Sequence, residues 1–378
     1  MKRIYLDNAA TTPMLPEVIE LMSDSMRVNF GNPSSTHQFG RTAKVSVETA
    51  RKNIAKHFNV SAREIIFTSG GTEADNLILQ NAVANLGVET IVTTKIEHHA
   101  VLHTIEFLES KYGVDVVYLK VNDDGGIDLD ELASVLESVD TKALVSLMWV
   151  NNEIGNLLPI KEVAKLCEIN GVLFHSDTVQ GIGHYELDLK EVPIDFITAS
   201  AHKFHGPKGV GFAYVKKNIG VFPMFHGGDQ ERGSRSSTEN VHSILGMEKG
   251  LDIAMRRIEK DTIYIKGIKK QLIDGLIKIF PEIHFNGLSS NMDKSTYTVL
   301  NVRFPFTDKL LLFNLDLFGI SVSGGSACQS GSDKGSHVLD GFLNKYDAEK
   351  TSVRFSFSRF TTKEDIVSVL SFFEVLKK

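Results

Sequence analysis

Cysteine is almost absent: the 378 residues hold two, Cys167 and Cys328. They sit in such different contexts that a disulfide framework is excluded, and reduced thiols are expected. No apolar run approaches the roughly 20 residues of a membrane span. The opening MKRIYLDNAATTP carries too few apolar residues for a secretory signal. Excess positive charge is missing as well. A formal net charge of −6 gives no electrostatic reason to expect nucleic acid or an anionic membrane as a partner. Internal repeats and low-complexity linkers are not found, and no metal site is assigned. The expectation is a cytoplasmic protein. The remaining composition, 42% hydrophobic and 23% charged, is that of an ordinary globular chain. Its length suggests two or three domains, or one large domain with a satellite.

The two cysteines read differently. Cys167 lies in IKEVAKLCEIN, a pattern of helical spacing in which free cysteine acts as a small hydrophobe. Cys328 lies in SGGSACQSGSDKG (323–335), whose glycines and serines favour a solvated loop and supply little core. An accessible thiol is open to oxidation, so its presence asks for a reason.

Short β-rich runs alternate with helical patterns through the centre of the chain. The runs are IIFTS (65–69), TIVTTK (90–95), VDVVYL (114–119), ALVSLMWV (143–150), VLFHSD (172–177), DFITAS (195–200) and GVGFAYV (209–215). Helical spacing fills 99–112, 128–139 and 159–170. This alternation predicts an α/β fold with a mostly parallel sheet between layers of helices. The pattern turns helical near 235–280. STYTVLNVRF (295–304), a helix near 307–318, TSVRFSF (351–357) and a closing helix from about 362 then predict a smaller α/β unit. Cys328 falls in a long connection of that unit, and long connections are often functional.

Open parallel sheets bind ligands at the carboxyl ends of their strands, and the polar signals gather there. IIFTSGGTEADN passes from strand through glycines into a helix. The amides of Gly71 and Thr72, with the Thr72 hydroxyl, suit a phosphate, although an ordinary capped turn reads the same way. VLFHSDTVQ ends a strand with Asp177 and Gln180, and ITASAHKFHGPKG ends another with Ser200, His202 and Lys203. A lysine after an apolar strand, between histidines, suits a desolvated amine that forms Schiff bases. Phosphate cradle, aspartate and amine are the parts of a pyridoxal phosphate site. The lysine holds the aldehyde, and the aspartate keeps the ring nitrogen protonated.

At these motifs the chain resembles the cysteine desulfurases of the NifS/IscS type, a branch of the class V aminotransferase fold. The resemblance runs from YLDNAATTP through FGNPSSTH, FTSGGTEADN, EHHAV, NNEIG, HSDTVQG, SAHKFHGPKG, RSSTEN and SGGSACQSGS to SVRFSFSRFTT. It implies a large pyridoxal phosphate domain of fold type I with a seven-stranded sheet (15–255). Residues 1–14 and 256–378 would form a smaller domain carrying the cysteine loop (323–336).

The resemblance also implies roles. Lys203 would be the Schiff-base lysine and the base that removes the substrate Cα proton. Asp177 would hold the pyridinium, Gln180 the phenolic oxygen, and His98 would stack on the ring and shuttle protons as a catalytic residue, with His99 a bystander. Gly71, Thr72, Ser200 and His202 would hold the phosphate, and Thr238 would reach the phosphate of the partner in a homodimer. Asn152 would contact the cofactor and, with Arg354 and Asn32, orient L-cysteine. Cys328 would take its sulfur as a persulfide and release alanine. An iron–sulfur scaffold or another sulfur acceptor would receive the sulfur. Selenocysteine lyase, a related class V aminotransferase and a non-catalytic assembly platform are the alternatives. A cysteine on a mobile loop argues against an aminotransferase, and the four reactive residues together argue against a platform. Two positions depart from the family pattern, Ser237 in RSST for RSGT and Ala201 in SAHK for SGHK. A slightly altered backbone is expected at both.

Overall fold

Seven short apolar runs build one sheet in the computed structural model, which describes residues 3–324 and 335–377. Twelve strands are defined among the described residues. They are β1 (Ile4–Tyr5), β2 (Ile65–Thr68), β3 (Thr90–Thr93), β4 (Asp115–Tyr118), β5 (Ala143–Ser146), β6 (Leu173–Asp177), β7 (Phe196–Ser200), β8 (Gly211–Val215), β9 (His284–Phe285), β10 (Val299–Arg303), β11 (Ile320–Ser321) and β12 (Ser352–Ser356). The large sheet has the order β2-β8-β7-β6-β5-β3-β4. Its strands are parallel except β8, which runs against both neighbours. All seven match the predicted runs.

Most of these strands are buried along their whole length. They read as continuous apolar runs because each face of the sheet carries a helical layer. The helices are α1 (Pro16–Val28), α2 (Gln38–His57), α3 (Gly71–Ala84), α4 (His99–Tyr112), α5 (Leu129–Ser138), α6 (Ile160–Asn170), α7 (Val241–Met255), α8 (Ile258–Ile279), α9 (Leu311–Leu317), α10 (His337–Asp340), α11 (Lys345–Ala348) and α12 (Lys363–Lys377). Side chains alternate between the layers as a strand's two-residue period requires. Ile66, Ile91, Leu144 and Phe196 join α3 and α4 in one apolar cluster. Phe67, Val92, Val145 and Ile197 join α2, α6 and α7 in another. Cys167 sits in that second cluster at 1% exposure. Its helical context predicts this, and burial pushes its thiol up to about 12.

A separate core forms around the antiparallel sheet β12-β10-β9 with α8 and α12. Phe280, Phe304 and Phe373 meet there ring to ring. The first strand belongs to this core: β1 pairs in parallel with β11, and Ile4 and Leu6 are buried with it. Residues 7–12 then cross to the large sheet. Thr12 closes that crossing. Its hydroxyl donates to the His202 carbonyl at 2.9 Å and accepts the His205 N–H at 2.8 Å. No helix among the described residues is long and apolar enough to cross a membrane.

Candidate active site

A cavity of 410 Å³ opens at the carboxyl edge of the large sheet. Ten of the sequence-predicted residues line it: Gly71, Thr72, His98, Asn152, Asp177, Gln180, Ser200, His202, Lys203 and Arg354. They come from the ends of β2, β3, β5, β6 and β7 and from the small sheet. This volume lies within the range of about 300–1,000 Å³ typical of small-molecule sites.

Lys203 ends a short 3₁₀ turn, Ala201–Lys203, that follows β7 directly. Its Nζ donates to the carbonyls of Ala9 at 2.6 Å and Ala10 at 3.0 Å. Gln180 Nε2 donates to the same Ala9 oxygen at 2.9 Å. The crossing segment 7–12 therefore sets the position of the lysine. Ala201, one of the two departures from the family pattern, is fully buried and has no positive φ. A side chain at Gly206 would meet its Cβ at 2.9 Å, so that glycine leaves the room the alanine uses.

Asp177 ends β6 with 7% exposure. Its Oδ1 accepts the Val179 N–H at 2.9 Å. Burial, and then the neighbouring acid Asp75, push it up to about 6. A buried acid of this kind is stabilised by a cationic N–H partner. His98 caps α4, its Nδ1 accepting the Ala100 N–H at 3.1 Å. That bond fixes the proton of the neutral ring on Nε2. Burial holds its pKa below the usual histidine value, against the pull of Asp177. A neutral imidazole thus stands beside an acid and an amine.

The other end of the cavity is built for an anion. Gly71 and Thr72 open α3, a helix whose first-turn amides and dipole favour negative charge. A Cβ at Gly71 would come within 2.7 Å of Val179 Cγ2, so a side chain there would force Val179 to move. Ser200 and His202 complete the rim. His202 Nδ1 lies 3.1 Å from the Thr11 hydroxyl. Burial first, then the charges of Lys203 and Lys208, bring His202 down to about 4. Lys208 lines the cavity too and adds a cation that reading HGPKG as a plain turn misses.

Arg354 is 1% exposed, yet it is not an open fork. Its terminal nitrogens reach Asp7 Oδ1 at 3.0 Å and the Asn152 carbonyl at 2.8 Å, while Nε is buried with no hydrogen-bond partner. The predicted substrate arginine is therefore also the inward ion pair that its alternation in VRFSF allows. Asn32 stands outside the cavity of this chain. Its Oδ1 accepts the Ser34 N–H at 2.9 Å in an exposed turn. Cys328 lies outside the described residues.

Thr238 is exposed and lines a smaller neighbouring cavity of 230 Å³ that shares Ser69 and Gly209 with the main one. Two ion pairs fix this region. Arg235 holds Glu73 in the first turn of α3 at 2.7 Å, and Arg51 holds Glu231 through two bonds of 2.5 and 2.8 Å. Ser237 keeps φ at +105°, the region that favours glycine. A serine held in that region carries strain. Ser237→Gly is expected to raise stability by about 0.5–1 kcal/mol, the relief of about 1–2 kcal/mol being partly offset by the entropy of an unfolded glycine. A urea midpoint that falls instead would refute this.

A family model described as aminotransferase class-V matches residues 4–369. The sequence is 42% identical over 382 residues to a cysteine desulfurase IscS from Clostridium botulinum, covering 100% of this chain and 94% of that one. Among solved structures, a NifS-like protein superposes with a TM-score of 0.90 at 35% identity over 99% of both chains. A protein called SspA, solved in complex with cysteine, superposes with a TM-score of 0.80 at 30% identity, over 95% of this chain and 100% of that one.

Proposed function

We propose that this chain, which belongs to the class V aminotransferases and within them to the cysteine desulfurases of the NifS/IscS type, takes the sulfur of L-cysteine onto Cys328 and releases L-alanine. The observation that carries the reading is the meeting of Lys203, Asp177 and the α3 N-terminus in one cavity. The residues present fit pyridoxal 5'-phosphate. The raised acid Asp177 suits a ring N–H, and the α3 N-terminus that opens at Gly71 suits a phosphate. When bound, that cofactor supplies an electron sink for negative charge developing at the substrate Cα.

The chain's own groups do the rest. Lys203 would hold the cofactor's aldehyde, and its Nζ would take the substrate Cα proton. Asp177 would keep its negative charge for the ring nitrogen. His98 would pack on the ring, and Gln180 would hydrogen-bond the phenolic oxygen with its amide. Gly71, Thr72, Ser200 and His202 hold the phosphate. Arg354, braced by Asp7, grips the substrate carboxylate, and Asn152 orients it alongside. At Cys328 a sulfur–sulfur bond forms as the substrate's carbon–sulfur bond breaks. One thiol and one L-cysteine thus give one persulfide and one alanine. The persulfide passes to an iron–sulfur scaffold or another acceptor protein. Residues 15–255 would act as the cofactor unit and 1–14 with 256–378 as the cysteine-bearing unit, a division supported by their separate apolar cores. The direct test is incubation of the cofactor-loaded protein with L-cysteine and a reductant. Alanine and sulfide should appear in equal amounts, and alanine without sulfide would refute the reading.

The same reading makes the enzyme a homodimer in which Thr238 serves the neighbouring phosphate. Its exposure and its place outside its own chain's main cavity support that role. A hydrogen bond to a charged group contributes about 1.5–3 kcal/mol, so Thr238→Ala should weaken cofactor affinity by about 10- to 100-fold while the chain stays folded. Absorbance titration measures this. A monomeric holoenzyme of full activity would contradict it.

A further inference from the structure

Behind Asp177 lies a second buried acid for which the sulfur chemistry has no use. Asp75 is on α3 at 1% exposure and borders the same cavity. One carboxylate oxygen of Asp75, one of Asp177 and a ring nitrogen of His98 lie within 4.8 Å of one another. The Thr198 hydroxyl beside them donates to Asp177 Oδ1 at 3.5 Å. On its far side Asp75 Oδ1 lies 3.4 Å from His175 Nε2, and both atoms are buried with no hydrogen-bond partner. His175 is fully buried, and its Nδ1 lies 2.9 Å from the Ser146 hydroxyl.

Two carboxylates this close in a dry site do not both ionise without large cost. Asp177 has first claim on the charge, because it would face the cationic ring nitrogen of the bound cofactor. The other titratable groups facing Asp75 offer it no counter-charge. Glu97 is itself a buried acid held well above its usual value, and His98 is held neutral. Burial keeps His175 at about 4, so the contact with Asp75 is not an ion pair, and Asp75 itself is pushed up to about 7. We propose that Asp75 is a protonated carboxylic acid in the working enzyme. It donates its O–H to His175 Nε2 and leaves one negative charge, on Asp177, behind the cofactor's ring nitrogen. His175 then carries its own proton on Nδ1 and donates it to Ser146. Asp75 is a positioning residue, since it acts through Asp177 and touches no reacting atom. The assignment rests on the pyridoxal phosphate reading of the cavity.

The test is infrared spectroscopy of the wild type loaded with pyridoxal phosphate, compared with Asp75→Asn and Asp75→Ala. At neutral pH the wild type should show a protonated-carboxyl stretch that Asp75→Asn removes. The asparagine amide can still donate to His175, so Asp75→Asn should retain cofactor about tenfold more tightly than Asp75→Ala, the scale of one buried hydrogen bond. A wild type that carries cofactor absorbance but no such band overturns the proposal and leaves the functional reading standing. So does an Asp75→Asn variant that holds cofactor no better than Asp75→Ala. A wild type that takes up no pyridoxal phosphate defeats both.

Discussion

Lys203→Ala is expected to lose the borohydride-reducible linkage to pyridoxal phosphate, and turnover of L-cysteine should fall about a thousandfold or more. The amine has two duties, and alanine performs neither. The fold should survive, because the lysine's anchors are two backbone carbonyls of the crossing segment, Ala9 and Ala10. That segment remains tied to the large sheet, Gln180 bonding the Ala9 carbonyl and Thr12 the His202 carbonyl. Absorbance before and after reduction, with turnover on the same sample, measures both losses. A variant that keeps a reducible linkage would place the cofactor on another amine.

Cys328→Ser is expected to split the reaction at a different point. The variant should keep its cofactor and still respond spectroscopically to L-cysteine, because neither property uses the thiol. Alanine and sulfide should fall together by roughly a thousandfold or more, the scale for removing a nucleophile that works with its partners as a unit. The serine hydroxyl is far less ionised and a poorer nucleophile toward sulfur. Near-normal turnover would assign the sulfur step elsewhere.

Much of the site was legible because its side chains follow strands whose apolar runs are hard to misread. Asp177, Ser200 and Lys203 end or follow such runs, so position and chemistry coincide. The runs legible in the sequence begin at residue 65, and α1, α2 and β1 lie before them. Helix α2 carries many charged residues, and β1 is two residues long, defined only by a partner more than 300 residues away. The seat of Lys203 was hidden for a related reason: Ala9 and Ala10 act through backbone oxygens, which leave no mark in a sequence. Asp7 shows as a binding partner only once folding brings it to Arg354. Asp75 in TEADN reads as the polar face of a helix. Only its burial against Asp177 and His175 distinguishes it. The strain at Ser237 was visible as a departure from RSGT, but the direction of its backbone was not.

The central claim is that sulfur leaves L-cysteine for Cys328, and one measurement addresses it directly. The cofactor-loaded protein is given one equivalent of L-cysteine without reductant, then digested and weighed by mass spectrometry. One extra sulfur atom is predicted on the peptide containing Cys328. None is predicted on Cys167, whose thiol is buried at 1% exposure and pushed up to about 12. Extra sulfur on Cys167, or alanine formed with no persulfide on either cysteine, would contradict the account.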